Sequence, residues 1–342
     1  MTPPVEGGPL PVLVNVARPA GEVDAVRLAG EALTAGLSGL GFADSPRIFP
    51  DPVVETVRVL ASDDRALAGP CVLSLPLLHV SKAASALTTL GAQFPGRVVA
   101  VVGRGESSLA NEGLRPPRLD EYAATLAALR TRVEGHLATM HLLGAASGPR
   151  TIAMTARELG GVLVDVGTAS GAVEAAVRHA RSAAPGAAVW AFLRVSVADT
   201  PAEASLASVS LLGSCASRMA AAPDWYGVSP ALAPALSALA ASHDYRRHGT
   251  VGAPRAAGAE PPDSARLEEA ADAVRDRFIL AGSVEALTSH FRDLAATGIA
   301  GVVLAGGLPG VVDRLPDLGA ASAHLIPPRT QPAHLALEEP AP

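Results

Sequence analysis

Four side chains that can carry or position a proton stand at the ends of short apolar runs: Asp44, Ser74, His79 and Glu106. Carboxyl and imidazole groups transfer protons in catalysis, and histidine titrates near neutral pH. If the runs are parallel strands of a barrel, their carboxyl ends meet at one face, and these groups converge there. The pattern therefore predicts a site for acid–base chemistry. The alternatives are a solvated loop charge for Glu106 and a helix edge facing solvent for His79.

The segment VVAVVGRGESS, residues 98–108, raises a second possibility, a glycine-rich phosphate loop. It does not fit the dinucleotide fingerprint, because Ser108 stands at the third glycine position and no helix is expected directly after it. It also lacks the GK[ST] ending of a Walker loop. We interpret it as a strand end where Gly103 gives a ligand room to approach the backbone. Glu106 then points into the mouth of the barrel.

The segment AASGPRT, residues 145–151, predicts a strand, a turn of small residues and a helix that begins near Pro149. A helix start leaves backbone N–H groups without partners, and these groups bind anions. The segment is therefore a candidate phosphate site. An ordinary turn with proline at the first helical position remains equally compatible with it. The residues concerned are Ala146, Ser147, Gly148, Pro149 and Arg150.

Composition excludes several classes of function. The formal net charge is −6, and Lys82 is the one lysine, so a basic surface for nucleic acid is not expected. Cys71 and Cys215 lie far apart in apolar segments, which predicts two reduced thiols in a cytoplasmic protein. No signal peptide, membrane span or metal-ligand spacing is found. No GxSxG nucleophile turn is found either.

The order of elements predicts an α/β fold, a (β/α)8 TIM barrel. Apolar runs of strand length recur, and alanine-rich segments of helical length follow them, as in parallel sheets buried on both faces. An open doubly wound sheet has the same local pattern, but eight runs favour a barrel. The runs are residues 11–17, 37–44, 67–75, 97–105, 138–146, 160–167, 187–199 and 299–307.

We expect one domain over residues 1–327, with an insertion at about 200–265 between the seventh and eighth strands. The proline-rich tail 328–342 is expected to be disordered. His141, inside the fifth run, is either a lumen residue or an ordinary core histidine.

The order of motifs resembles the luciferase-like superfamily of flavin- and deazaflavin-dependent oxidoreductases. The matching stretches are GLGFADSP, the run from GPCVLSLPLLH to RPPRLDEY, GAASGPRTIAMTARELGGVLVDVG and FILAGSVEALTSHFRDLAATGIAGVVL. The run that contains FPGR, a strand and GxGxS is the most specific of them. Within the superfamily, the pattern is most similar to the reductase branch that uses the deazaflavin coenzyme F420.

The resemblance implies a (β/α)8 barrel that holds a cofactor ring in its mouth and the cofactor phosphate at the ASGPR turn. It implies a non-proline cis peptide at Cys71–Val72, and Asp44 matches the family's acidic residue after strand two. Glu106 and Asn111 match a pattern found where F420 is used. The implied cofactor-binding residues are Asp44, Cys71, Val72, Ser74, Gly103, Glu106, Asn111, Ala146, Ser147, Gly148, Pro149, Arg150 and Gly167.

Two features depart from the family pattern. The segment TRVEGHLATMH is shorter than usual, and LGG replaces the usual ADG before strand six, so the substrate is not indicated. Because lysines are absent near the turn, backbone amides and Arg150 are left for the phosphate.

The expected function is an F420H2-dependent oxidoreductase that transfers a hydride between the deazaflavin and an organic substrate. An activated C=C or C=N bond in a biosynthetic pathway would suit this chemistry, with Glu106, His79 or Asp44 supplying the proton. Leu75, Leu77 and Val72 are expected to line an apolar mouth that excludes water.

The alternatives are an FMNH2-dependent monooxygenase and a non-catalytic binding subunit of the same fold. The expected ligand is a small-molecule or peptide substrate, with no nucleic acid and no membrane. The alanine-rich helical exterior is compatible with a homodimer.

Overall fold

The computed structural model of the chain describes residues 10–244, 264–306 and 310–325. Within these residues, nine parallel strands form one sheet, and eight of them close into a barrel in the order β1 to β7, then β9, which pairs with β1. The strands are β1 Val12–Val16, β2 Gly39–Phe42, β3 Leu67–Ser74, β4 Val98–Gly103, β5 Met140–Ala146, β6 Gly161–Val164, β7 Ala188–Val197, β8 Ile279–Gly282 and β9 Gly301–Ala305. The predicted (β/α)8 barrel is confirmed.

The ninth strand, β8, is not among the eight runs that the sequence predicted as strands, and a helix directly precedes it. That helix ends at Phe278, and Ile279–Gly282 instead pairs with Arg194–Val197. Strand β7 is longer than its neighbours, so its carboxyl-terminal half extends beyond its pairing with β6. The backbone groups of this extension find their partners in β8.

Alanine-rich amphipathic helices surround the barrel and bury one face each against the strands. Asp51 caps one of them, accepting the N–H groups of Val53 and Val54 at 2.8 and 3.1 Å. The helices are α1 Ala25–Thr34, α2 Pro52–Ser62, α3 Val80–Gln93, α4 Glu106–Asn111, α5 Leu119–Val133, α6 Pro149–Leu159, α7 Ser170–Ala183, α8 Pro201–Ser208, α9 Leu212–Ala221, α10 Pro223–Tyr226, α11 Ala233–Ala241, α12 Ser264–Phe278, α13 Val284–Ala295 and α14 Leu315–Ser322.

Apolar side chains fill the lumen in the amino-terminal half of the barrel. The largest is Trp190, which is buried among Leu13, Val99 and Leu143. Gly301 on the neighbouring strand leaves room for the indole, because a Cβ there would lie 2.6 Å from the ring. Since this half is filled, a ligand can enter only from the carboxyl-terminal half.

The insertion between β7 and the eighth barrel strand, β9, contains α8 to α12 and β8. Helices α9 to α12 contribute to a small apolar core of their own, which includes Cys215, Leu236, Val274 and Phe278. Residues 245–263 of the predicted insertion lie outside the described residues, and so does the predicted disordered tail 328–342.

Both cysteines are buried and neither forms a disulfide. In the described ranges, no helix combines the length and apolarity that a membrane crossing requires.

Candidate functional site

A cavity of about 300 Å³ opens at the carboxyl ends of the barrel strands. Its size lies at the lower end of the range typical of small-molecule sites. The walls combine apolar side chains with a few charged ones, and the residues that matter below are Asn15, Asp44, Val72, Tyr122, Ser147, Asp165, Phe192, Arg194 and Arg218.

Asp44 follows β2 and lies in the cavity wall, as the sequence predicted for a barrel-mouth residue. Its Oδ2 accepts the backbone N–H of Ser74 at 2.8 Å. Its own backbone carbonyl accepts the hydroxyl of Ser108 at 2.5 Å. Burial raises the pKa of the Asp44 carboxyl, the negative charge of Asp51 adds to the increase, and the Ser74 hydrogen bond opposes it. The group therefore keeps its proton to a higher pH than a free aspartic acid.

The cis peptide implied by the resemblance is present at Cys71–Val72. The pairing of β3 with β4 shifts register between Cys71 and Leu73, and Cys71 and Val72 both line the cavity.

The glycines after β4 make room for the side chains of β3. A Cβ on Gly103 would lie 2.5 Å from Cγ1 of Val72, and a Cβ on Gly105 would lie 1.8 Å from the Ser74 hydroxyl. Gly105 also has a φ of +72°, which favours glycine. Val72 and Ser74 therefore occupy the space that a side chain at these two positions would need, and both glycines line the cavity.

Glu106 begins helix α4 directly after Gly105, so the expectation that no helix follows here is wrong. The positive φ of Gly105 turns the chain at the end of the strand, and a carboxylate is favourable in the first turn of a helix. The Glu106 side chain is 59% exposed and pairs with Arg104 at 2.6 Å. Both residues line the cavity, so Glu106 lies at its rim.

Several predicted site residues lie outside the cavity lining. His79 caps α3, and its Nδ1 accepts the N–H of Ser81 at 3.3 Å. Asn111 is buried and donates to the hydroxyl of Ser45, which does line the cavity, at 3.2 Å. Gly167 packs against the backbone of Arg277.

Two leucines expected in the apolar mouth, and one serine of β3, also lie outside the lining. Leu75 is buried in the main core between strands and helices, and Leu77 is half-buried on the turn after β3. Ser74 is buried directly behind the wall and holds Asp44 through its backbone. Val72 alone of the three predicted apolar residues lines the cavity.

The ASGPR turn lies where the sequence placed it, between β5 and α6. Ala146 and Ser147 line the cavity, as does Thr151 in the first turn of the helix. The Thr151 hydroxyl is 3.2 Å from the N–H of Gly148 and accepts from it. Gly148 and Pro149 lie outside the cavity lining, and so does Arg150, whose side chain is exposed.

Three charged residues that the sequence analysis did not select form a network in the cavity wall. The guanidinium of Arg194 donates to both oxygens of Asp165, at 2.6 and 2.8 Å. Nε of Arg218, on α9, lies 2.6 Å from Oδ2 of the same carboxylate. Burial alone would raise the pKa of Asp165, but the two guanidinium groups lower it, so the group is ionised.

The tyrosine of α10 ties the insertion to the ASGPR turn. The hydroxyl of Tyr226 donates to the carbonyl of Ser147 at 2.7 Å and lies 3.3 Å from the carbonyl of Asp165.

A sequence signal for two of these residues was present. Asp165 lies near the end of the sixth apolar run, and Arg194 interrupts the seventh two positions after Phe192. Because side chains alternate along a strand, Arg194 and Phe192 share one face, and both line the cavity. Arg218 had no comparable signal, since its helix belongs to the insertion and only the tertiary structure brings it to the barrel.

A sequence profile of the luciferase-like monooxygenase family matches residues 17–301. Curated protein sequences give no significant match. Solved structures with the same fold include the coenzyme F420-dependent tetrahydromethanopterin reductase of Methanopyrus kandleri. Its TM-score is 0.63 at 13% identity, and the match covers 92% of this chain and 98% of the reductase chain.

Two further similar structures have different activities. An F420-dependent secondary alcohol dehydrogenase, solved with an F420–acetone adduct, has a TM-score of 0.56 at 12% identity, covering 86% of this chain and 93% of the other. The EDTA monooxygenase of Chelativorans sp. BNC1 has a TM-score of 0.58 at 12% identity, covering 93% of this chain and 95% of the other. At such low identities the likeness establishes the fold alone.

Proposed function

The chain belongs to the luciferase-like monooxygenase family, and we propose that it is an oxidoreductase that uses coenzyme F420H2. It transfers a hydride between the deazaflavin ring and an organic substrate, with an activated C=C or C=N bond as the group that changes oxidation state. The F420-dependent reductase and dehydrogenase among the similar structures are compatible with this choice.

The wall of the cavity suits a flat heteroaromatic ring. Val72 and Phe192 supply apolar surface. Two buried polar atoms in the same wall, Oδ1 of Asn15 and the hydroxyl of Tyr122, have no hydrogen-bond partner among the described residues. The apolar face of a bound heteroaromatic ring would cover Val72 and Phe192. Its polar edge would form hydrogen bonds with Asn15 and Tyr122. The residues present therefore fit a deazaflavin or a flavin.

A bound deazaflavin supplies the hydride chemistry, and the protein must supply or remove the matching proton. Asp44 is the observation that carries the proposal, because it is a carboxyl group in the cavity wall whose pKa is raised by burial. The Ser74 N–H fixes its orientation, and Asp44 holds the proton for the substrate atom next to the site of hydride transfer. Glu106 stays a candidate for positioning the substrate at the rim. His79, outside the lining, would need a substrate that reaches beyond the cavity.

The backbone amides at the start of α6 would hold the cofactor phosphate. Ser147 and Thr151 line the cavity at this point, and a helix N-terminus of this length favours an anion.

Titration of the purified protein with F420 and with FMN, followed by absorbance and fluorescence, tests the proposal. We expect saturable binding of F420 and weaker binding of FMN. Tight binding of FMN with no binding of F420 would instead favour a monooxygenase, the activity named for EDTA monooxygenase. Binding of neither cofactor would favour a non-catalytic subunit.

A further inference from the structure

The arginines in the cavity wall are not paired alike. Arg18 has its own carboxylate, Asp313, at 2.8 Å, and Arg104 has its own, Glu106, at 2.6 Å. Arg194 and Arg218 instead share the single carboxylate of Asp165, at 2.6 Å each. These last three residues together carry two positive charges and one negative charge.

The shared network is buried but faces the cavity. The side chains of Arg194 and Asp165 are 6% and 13% exposed, and that of Arg218 is 27% exposed. All three line the cavity. One arginine would suffice to neutralise Asp165, and a second cation in a poorly hydrated wall is unfavourable unless an anion compensates it. The excess charge lies where a bound molecule would touch it.

Among the described residues that act on Arg194, none besides Asp165 carries a negative charge. The thiol of Cys215, beside both arginines, has a pKa raised by burial and stays neutral. Burial likewise keeps the hydroxyl of Tyr226 protonated. The guanidinium of Arg277 lies 5.2 Å from the centre of the Tyr226 ring and adds a further positive charge. His243, near Arg218, has a pKa lowered by burial and is neutral at neutral pH.

We propose that Arg194 and Arg218 form a subsite that binds a carboxylate group of the organic substrate. This inference rests on the proposed function, because it names the class of molecule that the oxidoreductase would accept. A guanidinium has five N–H groups, and those of Arg218 that are not used for Asp165 and the Ser214 carbonyl can donate to a substrate carboxylate. The subsite orients the substrate from the side of the cavity where the insertion packs. The other two arginines of the cavity wall, Arg18 and Arg104, each pair with a carboxylate of their own.

The cofactor phosphate is the competing occupant, because Tyr226 connects this network to Ser147 of the turn. The position of Arg194 favours the substrate. It is the next cavity-facing residue after Phe192 on β7, and its guanidinium lies 5.1 Å from the centre of the Phe192 ring, which packs against the apolar lumen.

The test compares benzoate with benzamide, which share a shape but differ in charge, by calorimetric titration of the cofactor-free protein. We expect benzoate to bind about tenfold more tightly than benzamide, and Arg218→Gln to remove that preference. Arg178→Gln is the matched control, because Arg178 pairs with Glu174 on the exposed face of α7 and is 64% exposed. Arg218→Lys, which keeps the charge and loses the planar fork, should retain part of the preference.

Each variant is first checked for an unchanged circular dichroism spectrum, so that misfolding is not read as lost binding. Equal affinity of the wild-type protein for benzoate and benzamide would overturn the subsite, as would equal effects of the Arg218 and Arg178 changes.

A second titration is made with protein saturated with F420. An unchanged benzoate affinity supports a substrate subsite, and competition between benzoate and F420 overturns it in favour of the cofactor's anion. Failure of the wild-type protein to bind F420 would overturn the proposed function alone, because the first comparison uses no cofactor.

Discussion

The carboxylate of Asp44 accepts the backbone N–H of Ser74 at 2.8 Å, and this bond joins the segment after β2 to the end of β3 at the cavity wall. The same carboxyl group has a pKa raised by its burial. The hydrogen bond positions the group and stabilises its charged form, whereas burial disfavours the charged form, so the carboxyl keeps its proton to a higher pH than a free aspartic acid does.

Asp44→Asn should stabilise the protein more at pH 7 than at pH 4. The folded state binds the Asp44 proton more tightly than the unfolded state, whose carboxyl has the ordinary pKa of 3.8. Wild-type stability therefore falls as pH rises from that value through the raised pKa, and the asparagine variant lacks this loss. Thermal unfolding at both pH values measures the difference in Tm between variant and wild type. Glu174→Gln, on the exposed face of α7, is the control, and an equal difference at both pH values would contradict the account.

Asp165→Asn should destabilise the fold by about 3 kcal/mol, because it leaves two guanidinium groups without their shared carboxylate. Urea unfolding measures the change, and Glu174→Gln, which breaks an exposed pair, should cost less than about 1 kcal/mol. The lowered pKa of Asp165 means that its contribution is complete above the ordinary value of 3.8 and is lost as pH falls below it. The difference in the free energy of unfolding between the wild type and the variant should therefore become smaller in acid. A small difference in the free energy of unfolding at neutral pH would show that the network contributes little to stability.

The sequence was sufficient for the barrel, because buried parallel strands are nearly continuous apolar runs and eight of them recur with helices between. It also predicted where Asp44 and the turn at Ser147 lie, because both directly follow strands, and both line the cavity. Helix α4 escaped prediction because Gly105 adopts a positive φ that turns the chain at once, which no local pattern announces. Strand β8 escaped because its pairing with the extension of β7 is a tertiary contact.

The charged residues of the cavity also differ in whether the sequence alone could predict them. Arg194 was visible as a charge inside an apolar run, whereas Arg218 reaches the site only through the packing of the insertion. Residues that depend on one strand are predictable from period and position. Those that depend on how an insertion folds back are not.

Gly103→Ala should destabilise the protein by about 1 to 3 kcal/mol, because the added Cβ would lie 2.5 Å from Cγ1 of Val72. Val72→Ala removes that atom, so the double variant should recover about 1 kcal/mol relative to the sum of the single changes. Urea unfolding of the four proteins provides the cycle. Gly30→Ala in α1, where nothing lies within 4 Å of the added carbon, should instead stabilise the helix by up to about 1 kcal/mol. Additive effects of the Gly103 and Val72 changes would argue that the glycine serves a ligand and not β3.

Tyr122→Phe should leave the cofactor-free protein as stable as the wild type, or slightly more so. The Tyr122 hydroxyl is buried in the cavity wall without a partner among the described residues, so its removal loses no internal hydrogen bond and relieves a desolvated group. Burial raises the pKa of this hydroxyl, so it keeps its proton and can donate to a ligand. Tyr122→Phe should then weaken cofactor binding by about 1 kcal/mol, which is the typical net contribution of one hydrogen bond. Thermal unfolding without ligand and fluorescence titration with F420 separate the two effects. A variant that loses stability but binds F420 as tightly as the wild type would place the hydroxyl in the fold and not in the site.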